Sequence, residues 1–301
     1  LHEANQAGVD SGKLTQAVLQ LSALQSRPQP QRCGGFIGGL CGVLGGLFAP
    51  ASPQPAPTPA PAPAPPGRLI ADAAESAAIG ILPSTPWEDV VPTRPYLDEL
   101  LNNPQIAAAC PRIRRIVDDV RTKAAELRFT PAAAPLVRRI GSDDALHSIV
   151  AYTHDLMLPG GAKAGNLYYE MNRRLRDRTA GGRAQLMATW GVCVHYTLKA
   201  LAPLPDYEGA CYRGFPASDK AEILRQYQKR RPIQWGAFTS TTTRVGAARR
   251  FAGAGGVVIK IDVASGKDIC ALSFFETEAE VLLSPNHKFI VTSETGGTVD
   301  A

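Results

Sequence analysis

The spacing of apolar residues changes character three times along this 301-residue chain. Leu14, Ala17, Val18, Leu21 and Leu24 recur at i, i+3, i+4 and i+7, which predicts a short amphipathic helix with Asp10 or Ser11 as its cap. Residues 33–49 then form an uncharged apolar run in which seven positions are glycine. At about 1 kcal/mol per glycine relative to alanine, a water-exposed helix there would lose on the order of 7 kcal/mol. The run is also short of the roughly 20 residues a membrane span needs. Two readings stay open, a segment held by an export chaperone and a membrane-contact segment. Residues 50–66 hold nine prolines, mostly interleaved with alanine. Such a tract favours polyproline II at about 3.1 Å per residue, a semi-rigid spacer of up to roughly 50 Å.

From about residue 95 to residue 201 the period is helical. Tyr96, Leu97, Leu100 and Leu101 open it, residues 146–152 continue it, and residues 166–176 and 184–201 follow, with the Gly160-Gly161 and Gly181-Gly182 pairs as breaks. After Pro205 the pattern shortens into β-type runs at 210–213, 236–242, 257–263, 269–272, 280–283 and 289–292, with helices near 221–229 and 245–251. Helices first and strands afterwards predict an α+β fold with a mainly antiparallel sheet system. The expected organisation is a flexible leader over 1–49, a Pro/Ala-rich linker over 50–67 and a folded domain over 68–301.

Composition sharpens that division. Residues 1–67 carry 11 of the 25 prolines and only two of the aromatic residues, Phe36 and Phe48, so the core must be built by the remainder. The net charge of +5 is too small and too evenly spread to imply nucleic acid. Within the basic stretch 112–139, Ile113, Ile116, Val117 and Val120 keep helical spacing, which favours a solvated helix face over a surface for phosphate or an acidic partner. The six cysteines form no C-x-x-C pair, so neither a zinc site nor a disulfide framework is expected and no metal is assigned.

Several tempting sites fail on context. The glycines 253, 255 and 256 lead into a strand rather than opening a helix, so they offer no helix N-terminus to a pyrophosphate. Cys193 and His195 sit in an apolar helical stretch and read as core, and the His154-Asp155 pair starts no metal pattern. Three groups stand out instead. Cys211-Tyr212-Arg213-Gly214 places an arginine inside an apolar strand, where it needs a counter-anion. Trp235 to Thr243 sets hydroxyls directly after aromatic residues. Ser273 to Leu283 contains Glu278 and Glu280, which on a strand would share one face roughly 7 Å apart at Cα. Like charges so placed repel, and are tolerated where the charge is used.

In order and spacing these three groups resemble the arginine–serine–glutamate class of mono-ADP-ribosyltransferases, over residues 149–291. The Asn166 to Arg176 helix and the Leu201-Ala202-Pro203-Leu204-Pro205 lead-in are similar to the family as well. The form Glu278-Ala279-Glu280-Val281-Leu282-Leu283 resembles bacterial toxins and effectors, among them actin-modifying ones whose catalytic domain follows a proline-rich linker. The resemblance implies a fold of two packed, mainly antiparallel sheets around an NAD cleft, with helices ahead of them. It implies NAD⁺ as co-substrate, a secreted protein delivered into a host cell, a host protein as acceptor with arginine as its modified residue, and a monomer.

Carried over by position, the resemblance makes Arg213 the ligand of the NAD phosphates and Gly214 the backbone that meets the nicotinamide amide. Ser240, with Thr241 and Thr242 after it, braces the catalytic glutamate and the nicotinamide ribose. Glu280 is the glutamate that bonds the ribose 2′-hydroxyl, and Glu278 engages the acceptor. Phe274 or Phe275 takes the aromatic turn position facing the protein substrate, and Phe251 lies near the nicotinamide. A second phosphate-binding arginine found in some relatives is missing after Phe251, leaving Arg244, Arg249 or Arg250 as substitutes. Two other classes fit the same residues: an inactive transferase fold that binds a host protein, and an NAD⁺ glycohydrolase.

Overall fold

The computed structural model describes residues 17–23, 90–177 and 179–293. The glycine-rich run and the proline tract lie outside the described residues.

The helical stretch resolves into α1 (Tyr96–Asn102), α2 (Pro104–Ala109), α3 (Ile113–Leu127), α4 (Ala134–Ile140), α5 (Asp143–Thr153), α6 (Leu167–Leu175) and α7 (Ala180–Leu201). Local chemistry sets the boundaries. The Asn103 side chain caps α2 by accepting from Gln105 and Ile106 N–H, and Ser142 caps α5 by accepting from Ala145 N–H. Gly141 ends α4 at φ 63°, a left-handed value that costs glycine nothing. On α3 the apolar residues Ile113, Ile116, Val117, Val120, Ala124 and Leu127 are all buried while Arg114, Asp118 and Arg121 face solvent, the amphipathic arrangement expected there. The Gly181-Gly182 pair does not break a helix. It lies in the first turn of α7, where the Thr179 hydroxyl caps Gly182 N–H at 2.9 Å.

The strands are β1 (Ala17–Ala23), β2 (Asp206–Phe215), β3 (Pro232–Trp235), β4 (Thr239–Thr242), β5 (Val257–Asp268), β6 (Glu280–Leu283) and β7 (His287–Val291), with α8 (Lys220–Gln226) and α9 (Val245–Ala252) among them. Their order is β2-β4-β6-β5-β1-β7-β3, and β2 also pairs with β5. The long β5 therefore belongs to two strand groups, β2/β4/β6/β5 and β5/β1/β7/β3, which it joins into one hydrogen-bonded system. All pairings are antiparallel except β1 with β5.

Three expectations need correction. Residues 17–23 are a strand, not a helix: they pair in parallel with residues 257–262 of β5 and antiparallel with 289–291 of β7. The segment Leu19-Gln20-Leu21-Ser22 also alternates apolar and polar, and two flanking strands satisfy backbone groups that an isolated short helix would leave marginal. The run 236–242 is not one strand, since the chain breaks at Gly236 and puts β3 and β4 in different parts of the sheet. Residues 270–272 form a 3-10 turn, begun where the Asp268 carboxylate accepts from Cys270 N–H at 2.9 Å.

Two cores follow. One joins the helices to Phe238, Leu272 and Leu282. The other lies within the sheet around Cys211, Phe215, Trp235, Ile259, Val281 and Phe289. Strand β6 is buried along its whole length, with Leu282 in the helical core and Val281 and Leu283 in the sheet core. Side chains on a strand alternate, so Glu280 shares the face of Leu282 and is directed toward the helical layer.

Candidate active site

Glu280 is the first residue of β6, opposite Thr242 of β4, and only 7% exposed. Burial raises its carboxyl pKa to about 7, with Glu278 pushing the same way and a hydrogen bond from Ser240 and the charge of Arg213 opposing. The carboxylate is thus held where its proton comes off near neutrality.

Glu278 is positioned differently from the expected strand neighbour. It ends a 3-10 turn, Glu276–Glu278, and the next residue, Ala279, takes φ 49° before β6 begins. The backbone of this turn is tied down from the strand side. The Thr242 hydroxyl donates to Glu278 O at 2.5 Å, Arg244 Nη1 donates to Thr277 O at 3.2 Å, and Thr243 N–H donates to Ala279 O at 3.1 Å. Its side chain is half-buried. Burial raises its pKa, Asp155 adds to that, and Lys163 and Arg250 draw it back down. The two glutamates therefore hang from different supports, a sheet strand and a braced turn.

Arg213 lies on β2 with its guanidinium over the rings of Phe215, 5.2 Å away, and Trp235, 6.0 Å away. Its Nη1 donates to Ser240 O at 2.8 Å. Arginine, serine and glutamate are thus linked across β2, β4 and β6. Gly214 is required by packing: a Cβ there would lie 2.1 Å from Ala248 O of α9. Helix α9 thus takes up the space on the Gly214 Cα. The Thr241 hydroxyl donates to Val281 O at 2.7 Å, and the Thr242 hydroxyl also accepts from Arg244 N–H at 3.0 Å. These two residues, expected at the cofactor, brace β6 and the glutamate turn. Arg244 is likewise committed to that turn, whereas Arg250 is solvent-exposed on α9 and close enough to Glu278 to lower its pKa. Phe251, on the same helix, is 57% exposed. Phe274 and Phe275 are half-buried just ahead of the turn, Phe274 packing on the helical core.

The helical layer contributes groups the motifs did not announce. The buried Tyr152 hydroxyl of α5 lies 3.4 Å from both Ser240 Oγ and Phe238 O, and Asn172 Nδ2 of α6 donates to it at 3.1 Å. Tyr168 donates to Asp155 at 3.1 Å, and Lys163 pairs with the same carboxylate at 2.9 Å. The available signal was polar side chains inside the apolar spacing of α5 and α6. Cys193 is core, as expected, and burial pushes the Cys211 thiol up to about 12, so neither supplies a thiolate near neutrality. Among the described residues no group of three or more His, Cys, Asp or Glu could hold a metal ion, and no helix is long and apolar enough to cross a membrane.

The structure thus brings together a buried carboxylate that accepts from Ser240, an arginine bonded to the backbone of Ser240, and a second carboxylate on an adjoining turn. The family model of NAD:arginine ADP-ribosyltransferases matches residues 135–300, more than half of the chain, and the chain belongs to that family. Mav of Mycobacterium avium (strain 104), which carries the name of an NAD(+)–arginine ADP-ribosyltransferase, is 35% identical over 128 residues, 42% of this chain and 14% of Mav. Vis of Vibrio splendidus (strain 12B01), named for the same activity, is 33% identical over 131 residues, 36% of this chain and 50% of Vis. The chain thus aligns with half or less of these relatives' length. Among solved structures, the ADP-ribosyltransferase HopU1 of Pseudomonas syringae pv. Tomato DC3000 is 22% identical with a TM-score of 0.46, over 61% of this chain and 83% of that one.

Proposed function

We propose that this chain is a protein mono-ADP-ribosyltransferase that uses NAD⁺ and modifies arginine on a host protein, as a secreted bacterial effector. The observation that carries the reading is the unequal pair of glutamates, Glu280 buried and braced by Ser240, Glu278 half-buried on a separate turn. Breaking the bond between nicotinamide and ribose C1′ sends the electron pair to nicotinamide and develops positive charge on the sugar. A fixed, desolvated carboxylate stabilises that charge more than it stabilises the ground state. Glu280 has this role, ionised above about pH 7. The acceptor guanidinium is a poor nucleophile. Glu278 orients it and takes the proton that its nitrogen loses on bonding to C1′. Arg213 holds the pyrophosphate by charge-assisted hydrogen bonds, with Arg250 as its second cation. Gly214 and Phe251 border the nicotinamide, and Phe274 and Phe275 meet the protein substrate. The apolar run and proline tract ahead of residue 68 suit a delivery segment and its spacer.

The test combines radiolabelled NAD⁺ with agmatine and, separately, a host lysate. Glu280→Gln should lower nicotinamide release by about two orders of magnitude or more. Glu278→Gln should spare hydrolysis and suppress transfer. Unchanged nicotinamide release from Glu280→Gln removes the assignment, and label that never leaves water for agmatine or protein makes the chain a glycohydrolase.

A further inference from the structure

His154, which belongs to none of the three motifs, follows the last residue of α5 and is almost wholly buried. Its Nε2 lies 2.9 Å from Asp119 Oδ2 of α3, and Arg115 Nε stands 3.7 Å from the same carboxylate group. The ring packs edge-on against Phe274, with centroids 5.0 Å apart and planes at 85°. The neighbouring Thr153 hydroxyl accepts from Phe274 N–H at 3.3 Å, and Lys123 of α3 pairs with Glu276 at 3.3 Å. Three contacts from α3 and the end of α5 therefore hold residues 274–276, just ahead of Glu278. From the other side Thr242 and Arg244 hold residues 277 and 278. The turn is clamped between the helical and strand layers, while Glu280 is anchored in the sheet, on β6 and by Ser240 of β4.

Resting on the transferase reading of this site, we propose that His154, oriented by Asp119, is a positioning residue for the transfer step. It fixes the Phe274 turn and through it the placement of Glu278, without bearing on Glu280. An imidazole tied to a carboxylate has its rotation restricted, so the face it offers Phe274 is set, and a turn with one rigid flank keeps its carboxylate in register with the acceptor. Loss of His154 should therefore separate the two outcomes of NAD⁺ cleavage: water, which needs no orienting group, continues to react, and the guanidinium does so poorly.

The experiment uses the whole chain, with nicotinamide release in water and ADP-ribosyl-agmatine formation measured side by side. In His154→Leu the ratio of transfer to hydrolysis should fall about tenfold or more, with KM for NAD⁺ unchanged within about twofold. His154→Gln, whose amide reaches as far as Nε2, should recover most of the ratio. Lys123→Met, which frees Glu276 without touching the imidazole, should lower it in the same direction by a smaller factor. If His154→Leu shows no cooperative melting transition, Asp119→Asn and Lys123→Met are read on the same ratio. Parallel loss of transfer and hydrolysis, an unchanged ratio, or a Gln variant no better than Leu overturns the inference and leaves the transferase reading standing. A parent chain that releases no nicotinamide overturns the reading and the inference with it.

Discussion

The helical layer and the strand layer each have a tryptophan at the centre of a core, Trp190 and Trp235, yet the two layers serve the site in different ways. The strands carry the groups with motifs: Arg213 on β2, Ser240 on β4, Glu280 on β6. The helical layer carries groups without motifs: Tyr152, held by Asn172, touches Ser240, and Lys123 and His154, just after α5, touch the residues ahead of Glu278. On the proposed reading the strands hold most of the reactive groups, and the helices share with Thr242 and Arg244 the task of aligning them. Damage to the two layers should consequently look different.

Truncating the two tryptophans tests this most severely. Trp190→Ala and Trp235→Ala should each cost roughly 3–5 kcal/mol, read from chemical denaturation. Trp235→Ala should in addition weaken NAD⁺ binding, because it removes a ring beneath Arg213 and the partner of the Tyr227 hydroxyl, whose hydrogen bond with Trp235 Nε1 is 2.8 Å. Equal losses of NAD⁺ affinity in the two variants would dissolve the distinction.

A smaller change at the seam is Tyr152→Phe, which leaves Asn172 Nδ2 without its acceptor. The expected cost is about 1–3 kcal/mol in stability, accompanied by slower NAD⁺ cleavage through Ser240. Cleavage at the parent rate would place Tyr152 in the core and outside the site.

The pH contribution of Glu280 stands beside those of Glu278, which burial also raises, and of His147 and His287, which burial lowers. With the folded pKa of Glu280 raised to about 7, activity should climb through that pH as the carboxylate ionises. Stability should move the opposite way. Between the ordinary carboxylate range and about 7 the folded state holds a proton that the unfolded state has released, so stability falls as pH rises across that window. Glu280→Gln should flatten this slope, measured as melting temperature against pH.

Least should come from the helical surface. Arg128 and Asp143 pair at 2.7 Å but are largely solvent-exposed, and Arg128→Ala should cost under about 1 kcal/mol with kinetics unchanged.

Legibility in the sequence divided along the same line. That Arg213, Ser240 and Glu280 lie close together was readable because strands put side chains at short, fixed spacings, and α3 was readable because its polar and apolar faces are cleanly separated. The turn at Glu278 was not readable: the left-handed Ala279 between the glutamates is a backbone feature that an alanine does not announce. The bracing bonds of Thr241 and Thr242 were not readable because the partners of their hydroxyls, Val281 O and Glu278 O, lie some forty positions later. Tyr152 and His154 were invisible for a similar reason, since their value depends on residues 86 to 120 positions away.

The strand at residues 17–23 has a consequence for how the molecule is made. Among the described residues β5 and β7 do not pair with each other; each bonds to β1, which precedes the proline tract. A gene trimmed to begin at residue 68, the natural cloning boundary by composition, would therefore produce a sheet missing an inner plank, with two raw edges ready to recruit a neighbouring chain. A protease that cuts within the tract after folding leaves the plank in place, and the product would be a two-piece enzyme whose short piece remains seated by hydrogen bonds.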